Sequence, residues 1–359
     1  MRAAIFTSVE AGLTVESVEM LDPGPADVIV RLGASGVCHS DLSVLNGTVP
    51  YPAPVVLGHE GAGIVEWTGK GVSRVKVGDR VIASFGTVCG HCGHCTRQET
   101  HLCDTATMDL MTARVQREDS STARGMAGLG TFAEAMTCNE TALVSIQTDL
   151  PDEQLALIGC GATTGLGAAL NTAQVYAGAT VAVLGCGGVG TAVIQGARIA
   201  GASQIFAVDP VAGKRTAALG FGATHGIDPA TGDSAEQVLA LTGGRGVDFV
   251  FEAAGVEALM EQGMRMTRRG GTLVLVGLPQ ATARLNVPVA QFVYSDRKIM
   301  GSYYGAAQVL RDFPRFVSLV ETGRLDLGGM ISKRFSLEQV GDAFDEMKNG
   351  TAIRSVLML

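Results

Sequence analysis

The run Thr180-Val181-Ala182-Val183-Leu184-Gly185-Cys186-Gly187-Gly188-Val189-Gly190 decides how this chain folds. Residues 180–184 are an apolar stretch of strand length, and residues 191–200 read as a helix. Between them stands G-x-G-x-x-G, in the strand-to-helix setting that a dinucleotide-binding turn requires. Gly185 makes the turn, Gly187 lets a pyrophosphate approach the backbone, and Gly190 lets helix pack on strand. Gly188 and Val189 complete the loop, and the helix N-terminus holds the anion. Residues 204–208 form the next apolar strand and end at Asp209, 19 residues beyond Gly190. A carboxylate there accepts both adenosine ribose hydroxyls and repels a 2′-phosphate, so NAD is expected over NADP. A plain turn role for Asp209 at the strand end stays open.

The same texture continues outward. Residues 247–251, 272–277 and 298–302 read as further strands with helical stretches between them, which predicts a doubly wound parallel sheet over residues 162–302. Residues 1–161 differ: short alternating segments such as 27–32 and 63–67, rich in Gly and Pro, read as a β-rich domain. Residues 303–359 form a C-terminal segment. Ser336 and Gln339 make a capping box, and Leu337, Val340, Phe344 and Met347 make the buried stripe of the helix that follows. A strand at 355–358 is expected to return to the β-rich domain. Residues 104–130 read as a long loop. The chain is thus α/β.

Composition bounds the function. Lys+Arg total 27 and Asp+Glu 35, a net charge of −8, which disfavours a nucleic-acid or polybasic membrane partner. Hydrophobic residues are 47% and charged ones 17%, enough apolar matter for a large core. The 48 glycines follow no collagen period, so they serve turns and close backbone approaches. The N-terminus shows no signal-peptide pattern, and a cytoplasmic protein is expected. Residues 154–198 carry no charge before Arg198, yet their glycine density argues against a membrane span. A buried strand flanked by glycine loops fits that segment better.

Eight cysteines in a chain of this length suggest metal rather than disulfides. Cys89-x2-Cys92-x2-Cys95-x7-Cys103 brings four thiolates together, as in a closed structural zinc site. His91, His94 and His101 lie in the same loop and read as loop residues rather than ligands. Cys38-His39-Ser40-Asp41, Gly58-His59-Glu60 and Gly159-Cys160-Gly161 offer two more thiolates and an imidazole. Such a trio leaves a fourth zinc position open, as catalysis requires. Spacing does not connect the three; taken singly, each reads as a core residue, as Cys138 and Cys186 do.

The ordered set of Gly-His-Glu, four-cysteine loop, distant Gly-Cys-Gly and glycine fingerprint resembles the medium-chain, zinc-dependent alcohol dehydrogenase family over essentially the whole chain. The resemblance implies a GroES-like catalytic domain beside a Rossmann domain, with the active site in the cleft between them. It implies two zinc ions, one catalytic on Cys38, His59 and Cys160, with Glu60 behind it, and one structural on the four-cysteine loop. Asp41 would orient the histidine, and Ser40 would take the substrate proton. His39 and Arg354 match pyrophosphate contacts, and Lys214 matches a ribose contact. Val49, Leu57, Phe85, Leu278 and Tyr304 map to an uncharged pocket wall, which suits primary alcohols or aldehydes with an apolar body, aryl or allylic. A homodimer or homotetramer is implied as well. Members that oxidise a glutathione adduct carry an acidic residue at Val49 and a basic one near residues 105–107, where this chain has neither. The loop at 104–130 resembles that of bacterial relatives, some using mycothiol, so a mycothiol-type formaldehyde dehydrogenase is the alternative. The histidine that usually ends the proton relay is replaced by Ser43.

Overall fold

The computed structural model describes residues 1–105 and 110–359. Its fingerprint strand, Thr180–Leu184, lies inside a six-stranded parallel sheet with Gln204–Val208, His225–Ile227, Val247–Glu252, Thr267–Leu275 and Lys298–Gly301. Numbered along the chain, these strands stand in the spatial order 3-2-1-4-5-6. The order reverses beside the first strand, the place where doubly wound sheets bind their ligands at the strand ends. Val181 and Val183 enter one apolar cluster, while Ala182 and Leu184 enter another. Period-two alternation into two cores explains why the strand is apolar throughout.

The β-rich part holds two further sheets. A small closed barrel joins Arg2–Ser8, Gly12–Met20, Ala113–Arg117, Thr122–Gly125 and Val55–Val56. The other, of seven strands, runs from Leu143–Ser145 through Arg80–Ala83, Gly61–Thr68, Asp27–Val37 and Arg354–Met358 to Ile331–Ser336, with Ala135–Asn139 also paired to Asp27–Val37. The last strand pairs antiparallel with Asp27–Val37, Ser355 opposite Val37, so its first residues, Arg354 and Ser355, sit beside Cys38. The capping box at Ser336 forms, but it opens a short 3₁₀ turn, Leu337–Gln339, before the helix Val340–Lys348.

Two expectations need correction. Residues 104–130 are not one long loop: they contain the hairpin of Ala113–Arg117 and Thr122–Gly125. Ala113–Arg117 has a lone large apolar residue, Val115, so the strand shows no apolar pattern; its ends are held by ion pairs of Arg114 with Asp27 and Arg117 with Glu16. Nor is the first half of the apolar segment strand and loop. It is a helical run, Asp152–Thr172, long and apolar enough to cross a membrane, yet 78% of its most apolar window is buried inside the protein. Its glycines mark close helix contacts: a Cβ at Gly165 would lie 2.3 Å from the Val189 carbonyl oxygen.

Candidate functional site

The dispersed ligands converge. Cys38 ends the strand Asp27–Val37 and N-caps the helix His39–Leu45; His59 and Glu60 directly precede Gly61–Thr68; Cys160 lies in a π-turn, Ile158–Ala162. All four side chains are buried, and their ligand atoms lie within 4.8 Å of one another. Asp41, fully buried, accepts the Cys38 N–H at 3.0 Å and the Gly58 N–H at 3.1 Å, and meets His59 Nδ1 at 3.0 Å. A carboxylate there accepts a hydrogen bond from Nδ1–H and leaves Nε2 free as a ligand. A hydrogen bond with Cys160 holds the Cys38 thiol well below its usual range, against burial and with help from His59; the Cys160 thiol is raised in turn. Burial lowers the imidazole pKa, but Asp41 and Cys38 outweigh it and raise His59. Ser40 is half-buried in the first helical turn, its Oγ 3.8 Å from Cys38 Sγ.

Glu60 does not face the cluster alone. Arg354, 6% exposed, is ion-paired to it, and Glu60 Oε1 accepts the Gly161 N–H at 3.1 Å. Burial pushes the Glu60 carboxyl up to about 7, with Arg354 opposing. The guanidinium also reaches the fingerprint turn, since a Cβ at Gly188 would meet Arg354 Cδ at 2.3 Å. Arg354 thus bridges the ligand cluster and the glycine loop. Gly185 takes φ +92°, a conformation that favours glycine, and a Cβ at Gly190 would meet the Gly185 carbonyl oxygen at 1.8 Å. Nothing lies within 4 Å of a Cβ at Gly187, which leaves the mouth of the turn open. Gly187 caps the helix Gly188–Ile199 without a side-chain bond. Asp209 closes the neighbouring strand and accepts the Cys186 and Val211 N–H groups, each at 2.8 Å. Arg215 is held by the Asp209 and Pro210 carbonyls and by Asp228. Lys214 lies half-buried in Ala212–Gly220, and His39 is exposed.

The second cluster is local. Cys89, Cys92, Cys95 and Cys103 also place their sulfurs within 4.8 Å of one another. Backbone N–H groups of Cys92, Cys95 and Cys89 point at the sulfurs of Cys89, Cys92 and Cys103, at 3.3 to 3.4 Å. Such donors favour thiolates, and the Cys89 and Cys92 thiols lie below their usual range chiefly through backbone hydrogen bonds. His94 meets Glu99 at 2.9 Å, and His91 meets the Cys89 carbonyl at 3.0 Å, so neither points to the cluster.

The expected pocket wall is only partly assembled. Phe85 stands edge-on to His59, ring centroids 5.8 Å apart, and Val49 is half-buried. Leu57 and Tyr304 offer no free surface to a substrate. Leu57 packs among Phe132, Phe344 and Val44, and the Tyr304 ring lies against Phe85 with its hydroxyl on the Gly159 carbonyl. Tyr303, not singled out by sequence, is edge-on to Phe85 at 6.3 Å and 58% exposed. Leu278 projects outward at 77% exposure. Of residues 105–107, positions 106 and 107 lie outside the described residues.

Residues 24–148 match the alcohol dehydrogenase GroES-like domain, and residues 188–322 match the zinc-binding dehydrogenase family. The chain belongs to the zinc-dependent medium-chain alcohol dehydrogenase family. The NDMA-dependent alcohol dehydrogenase of Amycolatopsis methanolica is 35% identical over 367 residues, spanning 99% of this chain and 98% of its own. The S-(hydroxymethyl)glutathione dehydrogenase of Photobacterium damsela subsp. piscicida is 36% identical over 365 residues, spanning 99% of each. The crystal structure of benzyl alcohol dehydrogenase from Acinetobacter calcoaceticus superimposes with a TM-score of 0.93 at 27% identity, over 100% of this chain and 99% of that one. Family membership makes this chain an oxidoreductase acting on small alcohols or aldehydes.

Proposed function

We propose that the chain is an NAD-dependent dehydrogenase carrying two zinc ions, which interconverts primary alcohols of apolar body, aryl or allylic, with their aldehydes. One observation carries the reading: Cys38, His59 and Cys160 are gathered, with Glu60, in one buried set, and Arg354 links that set to the glycine turn. Two thiols and an imidazole with Nε2 left free suit zinc, and a trio leaves one coordination position for substrate. A zinc ion held there supplies a Lewis acid that makes an alcohol ligand more acidic, and NAD supplies the hydride acceptor.

The rest falls to the chain. Asp41 fixes the ring of His59. Ser40 Oγ accepts the alcohol proton while passing its own outward, since a hydroxyl both donates and accepts but does not store a proton. Ser43 has no pKa near neutrality, and in our reading water carries the proton onward. Phe85, Val49 and Tyr303 form the apolar wall that excludes water. The free N–H groups at the start of Gly188–Ile199, with Arg354 and His39, receive the pyrophosphate, and Asp209 and Lys214 the ribose. Arg215 is already engaged by Asp228, which supports NAD over a 2′-phosphorylated cofactor. Glu60, paired to Arg354, stands behind the trio rather than serving as a fourth ligand. The four-cysteine loop takes the structural zinc. The edge strand Lys298–Gly301 and the exposed Val289, Val293 and Tyr294 support a homodimer or homotetramer, which sedimentation checks.

A second reading, oxidation of a hydroxymethyl-thiol adduct, is favoured by the likeness to the glutathione-adduct enzyme above and opposed by apolar Val49. Steady-state kinetics with benzyl, allyl and short-chain alcohols, and with the hydroxymethyl adducts of glutathione and mycothiol, each with NAD and NADP, tests both. The highest kcat/KM is expected for an aryl or allylic alcohol with NAD; a thiol adduct or a polyol at the top would overturn it.

A further inference from the structure

The helical run Asp152–Thr172 holds two π-turns, Ile158–Ala162 and Ala168–Thr172, and the first carries Cys160. The wider turn interrupts the i→i−4 ladder, and such turns gather at functional sites. Two side-chain hydroxyls bond its carbonyls. Thr163 Oγ1 donates to the Ile158 carbonyl at 2.6 Å, and the Tyr304 hydroxyl donates to the Gly159 carbonyl at 2.5 Å. Tyr304 comes from 145 residues away and is 2% exposed. Its oxygen also meets Ser84 Oγ at 3.2 Å. Burial pushes the phenol well above its usual pKa, so it remains a neutral donor.

The chain is strained to deliver it. Tyr304, Gly305 and Ala306 have φ of 51°, 63° and 49°, three left-handed residues in a row, two of them not glycine. A non-glycine residue keeps that conformation only where its surroundings over-determine it. Here they do. A Cβ at Gly305 would lie 2.5 Å from the Thr163 carbonyl oxygen, Asn171 Nδ2 donates to the Gly305 carbonyl at 3.3 Å, and Thr100 Oγ1 donates to the Ala307 carbonyl at 3.2 Å. The strained segment is pinned to the helix on one side and to the four-cysteine loop on the other.

We propose that Tyr304 is a positioning residue for the catalytic metal: its buried hydroxyl, bonded to the Gly159 carbonyl, holds the π-turn in the shape that presents Cys160 Sγ to Cys38 and His59. The inference rests on the ligand assignment made above. Outer partners of metal ligands typically matter about 10- to 100-fold in metal affinity. The test is the rate at which zinc leaves the holoenzyme to a chromophoric chelator, with the absorption spectrum of the cobalt(II)-substituted protein alongside. Tyr304→Phe keeps the ring and removes the hydroxyl. It is expected to speed release of one zinc by about 10-fold or more, leave the other unchanged, and shift the cobalt–thiolate band. Thr163→Val should act in the same direction, and Thr163→Ser, which restores a hydroxyl, should return the wild-type rate. Wild-type release and an unshifted cobalt band in Tyr304→Phe, whatever Thr163→Val does, would overturn the proposal and make Tyr304 a core residue only. Cys160→Ser separates the two layers: if it retains both zinc ions with wild-type release, the ligand assignment itself falls, and the role of Tyr304 with it.

Discussion

Cys89, Cys92, Cys95 and Cys103 belong to one short loop, whereas Cys38, His59 and Cys160 come from three separate places in the β-rich sheet and the helical run behind it. The loop cluster is held by its own backbone, whose N–H groups face the sulfurs, two of them from three residues away. The dispersed cluster is held by side chains brought from afar: Asp41 on His59, Arg354 on Glu60, Tyr304 on the turn of Cys160. The contrast separates two jobs. In the reading proposed above, a metal on a short local loop ties together thiolates that little else holds, so it contributes folding energy. A set built on strands and helices is shaped by the fold, so in the proposed reading its metal is free to do chemistry.

Replacing Cys38 by Ser therefore should destroy turnover and spare the fold. Loss of the metal's charge stabilisation, worth several kcal/mol, lowers kcat by about 10³-fold or more. Steady-state rates and circular dichroism on the same sample check this. Removing the hydroxyl of Ser40 by an alanine substitution leaves both metals in place and slows hydride transfer by about 10²-fold, read as single-turnover NADH formation. Cys92→Ser acts on the other side of the comparison. It should lower the melting temperature by roughly 3–5 °C, a loss of a few kcal/mol for a chain of this size, with activity falling only as the folded fraction falls. Asp209→Ala should shift the ratio of kcat/KM for NAD over NADP by about 10-fold toward NADP, because one buried carboxylate carries the discrimination. Ser43→Ala should change the single-turnover rate by less than about 2-fold; a loss as large as that of Ser40→Ala would place Ser43 in the proton path.

What sequence made legible follows the same division. The fingerprint strand and Gln204–Val208 stand where their apolar runs put them, because a strand buried on both faces is apolar at every position. The four-cysteine loop announces itself by spacing. The trio was reachable only through resemblance, since nothing local ties Cys38 to Cys160. Nothing local pairs Glu60 with Arg354 either: that contact exists because the last strand returns to Asp27–Val37. Tyr304 lies behind the expected pocket wall, because an aromatic ring reads the same in sequence whether its hydroxyl faces substrate or the Gly159 carbonyl. The hairpin within 104–130 is not legible in sequence, because ion pairs, which leave no apolar pattern, hold its first strand.

Zinc stoichiometry tests the division most directly. Metal analysis of the purified wild-type protein should give two zinc ions per chain, with Cys38→Ser and Cys92→Ser each retaining one and only Cys92→Ser losing thermal stability. One zinc or none in the wild type, or equal destabilisation by the two substitutions, would contradict the assignment of one metal to chemistry and the other to the fold.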